Sequence, residues 1–222
     1  MNLKSAVVRD SSSVVVNSVL RNTYILLSVT LLFSALSAAF SMTSNAAPLP
    51  FLLILLGYIG LPMIINMFRN SYWGLVLTFV FTGFVGWTLG PILNSYIHNF
   101  TNGGELILMA LGSTGLIFLG LSAIAMNPKR DFSQIGGFLA VGACVALIAM
   151  IANIFLRLPA LQLTLSVVFA LVSGGMILFQ TNMIVRGGER NYITATITLY
   201  ISILNIFLTL LQLLGLFAGS RD

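Results

Sequence analysis

The sequence predicts an all-α integral membrane protein of seven transmembrane helices, with the N-terminus inside and the C-terminus outside. Three observations carry this. The 222 residues are 58% hydrophobic and only 7% charged, whereas a soluble domain carries about 25% charged residues. The few charges divide the chain into long uncharged stretches, each sized for one or two membrane crossings. Finally, the basic residues fall mostly on alternate connections.

A crossing needs about 20 apolar residues. The uncharged stretch 22–68 holds two spans, 23–42 and 50–68, separated by Ser44-Asn45-Ala46-Ala47-Pro48-Leu49-Pro50. The stretch 70–104 holds one, 72–93, which Gly90-Pro91 and the polar run Asn94 to Gly104 are expected to end. The remaining spans are 105–126, 134–156, 160–185 and 192–217. Only Leu156-Arg157-Leu158-Pro159 separates the fifth and sixth, which predicts a tight antiparallel hairpin. Residues 1–22 form a flexible N-terminal tail ahead of a seven-helix domain, 23–222. The tail is polar, mildly basic and without helical periodicity, so it is either a frayed terminus or a handle for a partner. Ala46-Ala47 resembles a signal cleavage site. The long polar lead and an apolar run beyond the usual 7–15 residues argue that the first segment is retained.

Orientation follows from the positive-inside bias. With the N-terminus inside, Lys4, Arg9, Arg21, Arg69, Lys129, Arg130, Arg186 and Arg190 are cytoplasmic, and only Arg157 and Arg221 lie outside. The same bias accounts for the net charge of +5. The cations do not cluster as a phosphate-binding face requires, so no nucleic-acid partner is expected.

The chemistry of common membrane enzymes is missing. One cysteine, Cys144, and one histidine, His98, exclude an intrachain disulfide and any His/Cys metal cluster. No P-loop and no HExxH occurs. Gly112-Ser113-Thr114-Gly115 faintly resembles a serine intramembrane protease motif, but no predicted span holds a histidine to activate the hydroxyl. Asp10, Glu105, Asp131, Glu189 and Asp222 all lie outside mid-membrane, so an aspartyl protease pair is absent too. The chain is read as non-enzymatic and without cofactors. His98 is expected to be solvated, and Arg157 to meet lipid headgroups or cap a helix.

Polar residues line two segments. In the seventh, Asn191, Thr194, Thr198, Ser202, Asn205, Thr209 and Gln212 fall within roughly 80° of one another on a helical wheel. In the sixth, Gln162, Ser166, Ser173 and Gln180 fall within about 40°. Such stripes cannot face lipid. They predict a shared polar seam, which either hydrogen-bonds helix to helix or lines a permeation route. Gly136, Ala140 and Cys144 in the fifth segment, and Gly83, Gly86 and Gly90 in the third, are read as close-packing faces.

The C-terminal half contains Gly175-Met176-Ile177-Leu178-Phe179-Gln180-Thr181-Asn182, then Asn191-Tyr192-Ile193, then Leu199-Tyr200-Ile201-Ser202-Ile203-Leu204-Asn205-Ile206-Phe207. Earlier come Arg21-Asn22-Thr23-Tyr24, Gly90-Pro91-Ile92 and Asn153-Ile154-Phe155. Across essentially the whole chain these resemble the Bax inhibitor (transmembrane Bax inhibitor motif) family, most closely its bacterial YccA branch. The resemblance implies a seven-helix fold with the last helix central and the others in two groups of three. Many members carry two aspartates, one on the sixth and one on the seventh helix, as a pH-sensitive calcium-leak sensor. The matching positions here are Gln180 and Ser202, which neither titrate between about pH 5 and 8 nor offer a carboxylate to a hard cation. Arg69 resembles the basic latch residue that pairs with the first aspartate. The branch further implies a bacterial inner-membrane protein that binds and modulates the membrane AAA protease FtsH, together with its membrane regulators, as a poorly degraded substrate. The alternative is a cation leak through the seam formed by Gln162, Ser166, Ser173, Gln180, Thr198, Ser202, Asn205 and Thr209.

Overall fold

A computed structural model describes residues 3–127 and 129–219; the side chains of residues 3–15 lie outside that description. The described chain is helical throughout: α1 (Leu3–Thr43), α2 (Phe51–Met67), α3 (Tyr72–Asn99), α4 (Gly103–Ala125), α5 (Ile135–Leu156), α6 (Pro159–Val185) and α7 (Tyr192–Gly219). Six are long and apolar enough to cross a membrane; in α1 that stretch is Val16–Thr43. The apolar α2 has 17 residues, at the short end of the spanning range. Helix α1 runs back to Leu3, through the stretch expected to be a flexible tail. Residues 1 and 2 of that expected tail, and the side chains of residues 3–15, lie outside the described set.

Helix ends follow local chemistry. Ser71 caps α3 by accepting from the Trp73 N–H at 3.4 Å. Pro159 opens α6, where a missing N–H costs nothing. At the end of α6, Gly187 takes φ +75°. Gly188 N–H then reaches the Met183 carbonyl at 2.8 Å and Gly187 N–H the Ile184 carbonyl at 3.0 Å. This paired closure requires a left-handed residue, and glycine adopts it without steric cost.

One expected boundary is corrected. Helix α3 does not break at Gly90-Pro91 but continues to Asn99. Pro91 has no N–H for the carbonyl four residues back, that of Trp87. The Ser41 hydroxyl of α1 donates to that carbonyl instead, at 2.8 Å.

The helices form two similar groups around α7. In the first, α3 packs between α1 and α2; in the second, α6 packs between α4 and α5. Helix α7 touches α1, α2, α3, α4 and α6. Its apolar side is buried because it is surrounded: Ile193, Leu199, Tyr200, Ile206 and Leu211 are all buried. Of its polar stripe, Ser202 and Thr209 are buried, whereas Asn191, Thr194, Thr198, Asn205 and Gln212 are half-buried. Helix α5 packs on α6 alone, and Phe138, Val145, Ile148 and Phe155 are exposed on its outer side.

The glycines of α3 let it approach α1 closely. A Cβ at Gly86 would collide with the Ser34 carbonyl oxygen, and one at Gly90 with the Ser41 hydroxyl. Ser37 of α1 also donates to the Gly83 carbonyl at 2.7 Å. The expected packing face on α5 is offset from its predicted position. Gly136 does pack, against Phe179, but Leu139 and Ala146 complete the face while Cys144 is exposed. Small residues mark close packing but do not fix which side of the helix turns inward when both sides are apolar.

Candidate functional site

The α6–α7 seam is the region singled out by sequence. At the end carrying the α5–α6 turn, Ser166 donates to Gln212 Oε1 at 2.6 Å, and Thr209 donates to the Ser166 carbonyl at 3.0 Å. Here the polar groups join helix to helix. Further along, Ser202 donates to the Thr198 carbonyl at 2.8 Å and Thr198 to the Thr194 carbonyl at 3.0 Å, so these hydroxyls are satisfied within α7. Ser173 is buried, Asn205 half-buried and Gln162 exposed. Gln180 is 6% exposed, and its Nε2 has no hydrogen-bond partner. No hydrogen bond joins Gln180 to Ser202 among the described residues. On the α4 side the seam borders a cavity of about 480 Å³ whose walls, apart from Thr209, are apolar, including Ile117, Leu121, Leu171 and Ile206.

A second polar knot ties α7 to the first group. Tyr200 is 1% exposed. Its hydroxyl shares a 2.6 Å hydrogen bond with Ser34 of α1 and lies 3.5 Å from the Thr82 carbonyl of α3. Phe81 packs edge-on against its ring at 5.8 Å. One side chain of α7 thus meets two further helices, α1 and α3, at the centre of the bundle. A side-chain hydrogen bond between membrane helices contributes about 0.6–2 kcal/mol. Tyr200→Phe is therefore expected to cost about 1 kcal/mol. Adding Ser34→Ala to it should cost less than the two single losses summed. Unfolding titrations in mixed detergent measure both; full additivity would show that the pair does not interact.

The third cluster lies at the opposite end, which carries the α2–α3, α4–α5 and α6–α7 connections and which the charge bias predicts to be cytoplasmic. Asn182 of α6 is wholly buried. Its Nδ2 donates to the carbonyls of Ala125 at 3.2 Å and Arg130 at 3.0 Å, and its Oδ1 accepts from the Phe132 N–H at 3.0 Å. One amide thus holds both sides of the α4–α5 loop. Beside it, Arg186 pairs with Asp131 at 2.9 Å. Asn191 starts α7 by accepting from the Ile193 and Thr194 N–H groups, while its Nδ2 reaches the Arg69 carbonyl and Asn70 Oδ1, both at 2.9 Å. Arg69 itself is exposed and reaches Asn66 at 3.4 Å; it makes no contact with Gln180 in the hydrogen-bond network. In the sequence Asn182 is one residue of the stretch Gly175–Asn182, and nothing local marks its role, because the groups it binds lie in the α4–α5 loop.

The Asp131 carboxylate accepts from the Ser133 hydroxyl and N–H, and these bonds, with Arg186 beside them, hold its pKa below the ordinary carboxylate value. A carboxyl depressed in the folded state supports the fold above its unfolded pKa and loses that support as pH falls through the folded one. Protection of residues 129–134 against hydrogen exchange, corrected for intrinsic rates, is therefore expected to stay level from about pH 8 to 5 and to drop only below about pH 4. A drop near pH 6 would contradict the assignment. His98 is exposed in the last turn of α3.

Comparison with known proteins gives a consistent picture. The profile of the family described as "Inhibitor of apoptosis-promoting Bax1" matches residues 16–219. The chain is 48% identical over 206 residues to a protein of Escherichia coli (strain K12) called "Modulator of FtsH protease YccA", covering 93% of this chain and 92% of that one. It has the same identity and coverage with "Inner membrane protein YccA" of Escherichia coli O6:H1. An "Uncharacterized membrane protein" of Vibrio cholerae is 47% identical over 201 residues, 90% of each chain.

Proposed function

The chain belongs to the Bax inhibitor family of membrane-embedded proteins, and from that premise we propose that it is a non-enzymatic protein of the bacterial inner membrane that binds and inhibits the membrane protease FtsH, as a substrate the protease degrades poorly. Its N-terminus is cytoplasmic in this reading, and FtsH and its membrane regulators are its partners. The relative named as a modulator of FtsH supports the partner.

The observation that carries the reading is the seating of α1. An ATP-driven unfoldase that grips the N-terminal residues must draw out α1 first. Yet α1 is the helix packed backbone to backbone on α3 at Gly86 and bonded to α7 through Ser34 and Tyr200. The protease would engage the N-terminal residues and then stall at α1, which α3 and α7 both hold. Such an encounter occupies the enzyme without feeding it.

Deletion of residues 2–10 tests this. With the deleted protein present at wild-type level in the membrane, degradation of a reporter substrate is expected to return to the rate seen without the protein. Cross-linking followed by mild-detergent purification should also recover FtsH above an unrelated seven-helix control. Unchanged inhibition after the deletion would remove the tail from the mechanism. Recovery of FtsH only at control level would remove the partner.

A further inference from the structure

The turn joining α5 to α6 borders a cavity of about 490 Å³ that the reading above does not use. Its rim carries Asn153, Arg157 and Gln162, and its wall is formed by Met150, Ile154, Leu165 and Phe169. All three rim residues bring N–H donors. The Asn153 carbonyl oxygen of the side chain is already occupied by the Leu158 N–H at 3.1 Å, which leaves its Nδ2 available. The guanidinium of Arg157 has no carboxylate partner among the described residues, and no acidic residue lines the cavity. The first turn of α6, whose N–H groups and dipole favour an anion, begins at the same rim with Pro159.

Depth matters as much as charge. Helix α5 has 22 residues, about 33 Å at 1.5 Å per residue, close to the thickness of a bilayer core. Its terminal turn therefore lies at headgroup level, and the apolar wall faces the acyl region below it. The backbone adds a third observation. Arg157 occupies the C-cap of α5 with φ +52°, a left-handed position where glycine is the unstrained choice. The side chain is held there at a conformational cost.

From this combination we propose that the α5–α6 turn is a binding site for one anionic phospholipid. The phosphate meets Arg157, Gln162 and Asn153, and one acyl chain lies along Met150, Ile154, Leu165 and Phe169. The guanidinium matches a phosphate oxygen pair better than a lysine would. Zwitterionic lipid carries its own cation next to the phosphate and gains less.

Native mass spectrometry of the intact protein, exchanged into vesicles of phosphatidylglycerol or of phosphatidylcholine and then re-extracted, reads the site directly. The wild type is expected to retain one phosphatidylglycerol and no stoichiometric phosphatidylcholine. Arg157→Gly removes the guanidinium and also relieves the left-handed backbone, so its thermal midpoint should not fall. Its retained phosphatidylglycerol should fall by about tenfold, the effect of one lost charge-assisted contact. Arg157→Lys should restore part of the retention. Equal retention by Arg157→Gly, or equal retention of both lipids by the wild type, would overturn the proposal. Displacement of the lipid by millimolar inorganic phosphate, with equal thermal protection by phosphate alone, would assign the rim to a free anion and also overturn it. None of these readouts involves the protease, so failure here is distinct from failure of the proposed function.

Discussion

Asn182→Ala is expected to destabilise the detergent-solubilised protein by about 3 kcal/mol, from the loss of three buried hydrogen bonds at about 1 kcal/mol or more each. The backbone groups are the larger part of the argument. Removing the amide leaves the Phe132 N–H and the Ala125 and Arg130 carbonyls without the partner that now satisfies them. A buried polar group left unpaired costs more than a bond gained returns. The damage should be local before it is global. Hydrogen exchange across residues 126–134 should rise first, because the α4–α5 loop loses its anchor while the core around α7 is untouched. Asn182→Asp offers a sharper test. It keeps an acceptor for Phe132 but turns an oxygen toward two carbonyls, so it should be no better than alanine. Unaltered exchange in that loop for either variant would show that Asn182 does not hold it.

Gly86→Ala is expected to cost about 3 kcal/mol or more, beyond the usual 1–3 kcal/mol of overpacking, because the added methyl meets backbone rather than a side chain. The Ser34 carbonyl that blocks it belongs to α1, which can yield only by moving as a whole. That movement would also strain the bonds Ser37 to Gly83, Ser41 to Trp87, and Ser34 to Tyr200. The opposite sign is expected at Gly112 and Gly120 of α4, where an added Cβ meets nothing within 4 Å. There alanine should be neutral or stabilising by about 0.5–1 kcal/mol, the helical preference over glycine. Unfolding titrations of the three variants compare the positions directly. Equal costs at Gly86 and Gly112 would mean that α1 and α3 are not in this close register.

The sevenfold helical plan was legible because charge-free length is a local property, and each predicted span overlaps its helix. So was the polar stripe of α7, since a repeat of Thr, Ser and Asn has a fixed angular spacing. The continuation of α3 through Pro91 was not legible, since the hydroxyl that replaces the missing N–H comes from Ser41, in another helix. Asn182 was hidden for the same reason: its partners lie some 50 residues away in sequence. The outward turn of Cys144 reflects a different limit. Lipid and protein interior are both apolar, so hydrophobicity does not say which face of α5 meets α6. At the seam, the residue types announced hydrogen bonding but not which groups would bond within α7, across to α6, or, like Gln180 Nε2, to no partner.

The central position of α7 sets a timetable for biosynthesis. The helix that every other element except α5 packs against is made after the other six. At about 5–20 residues per second, its 28 residues take on the order of 1.5–6 s to be made. Until then Ser34 waits without Tyr200, and Ser166 without Gln212. Six nascent helices must be held in the bilayer with polar groups unmatched, in the order made, around a space the chain has yet to fill. A nonsense codon just before Tyr192 would leave six helices without the one that five of them pack against, so no shortened version of the fold is expected.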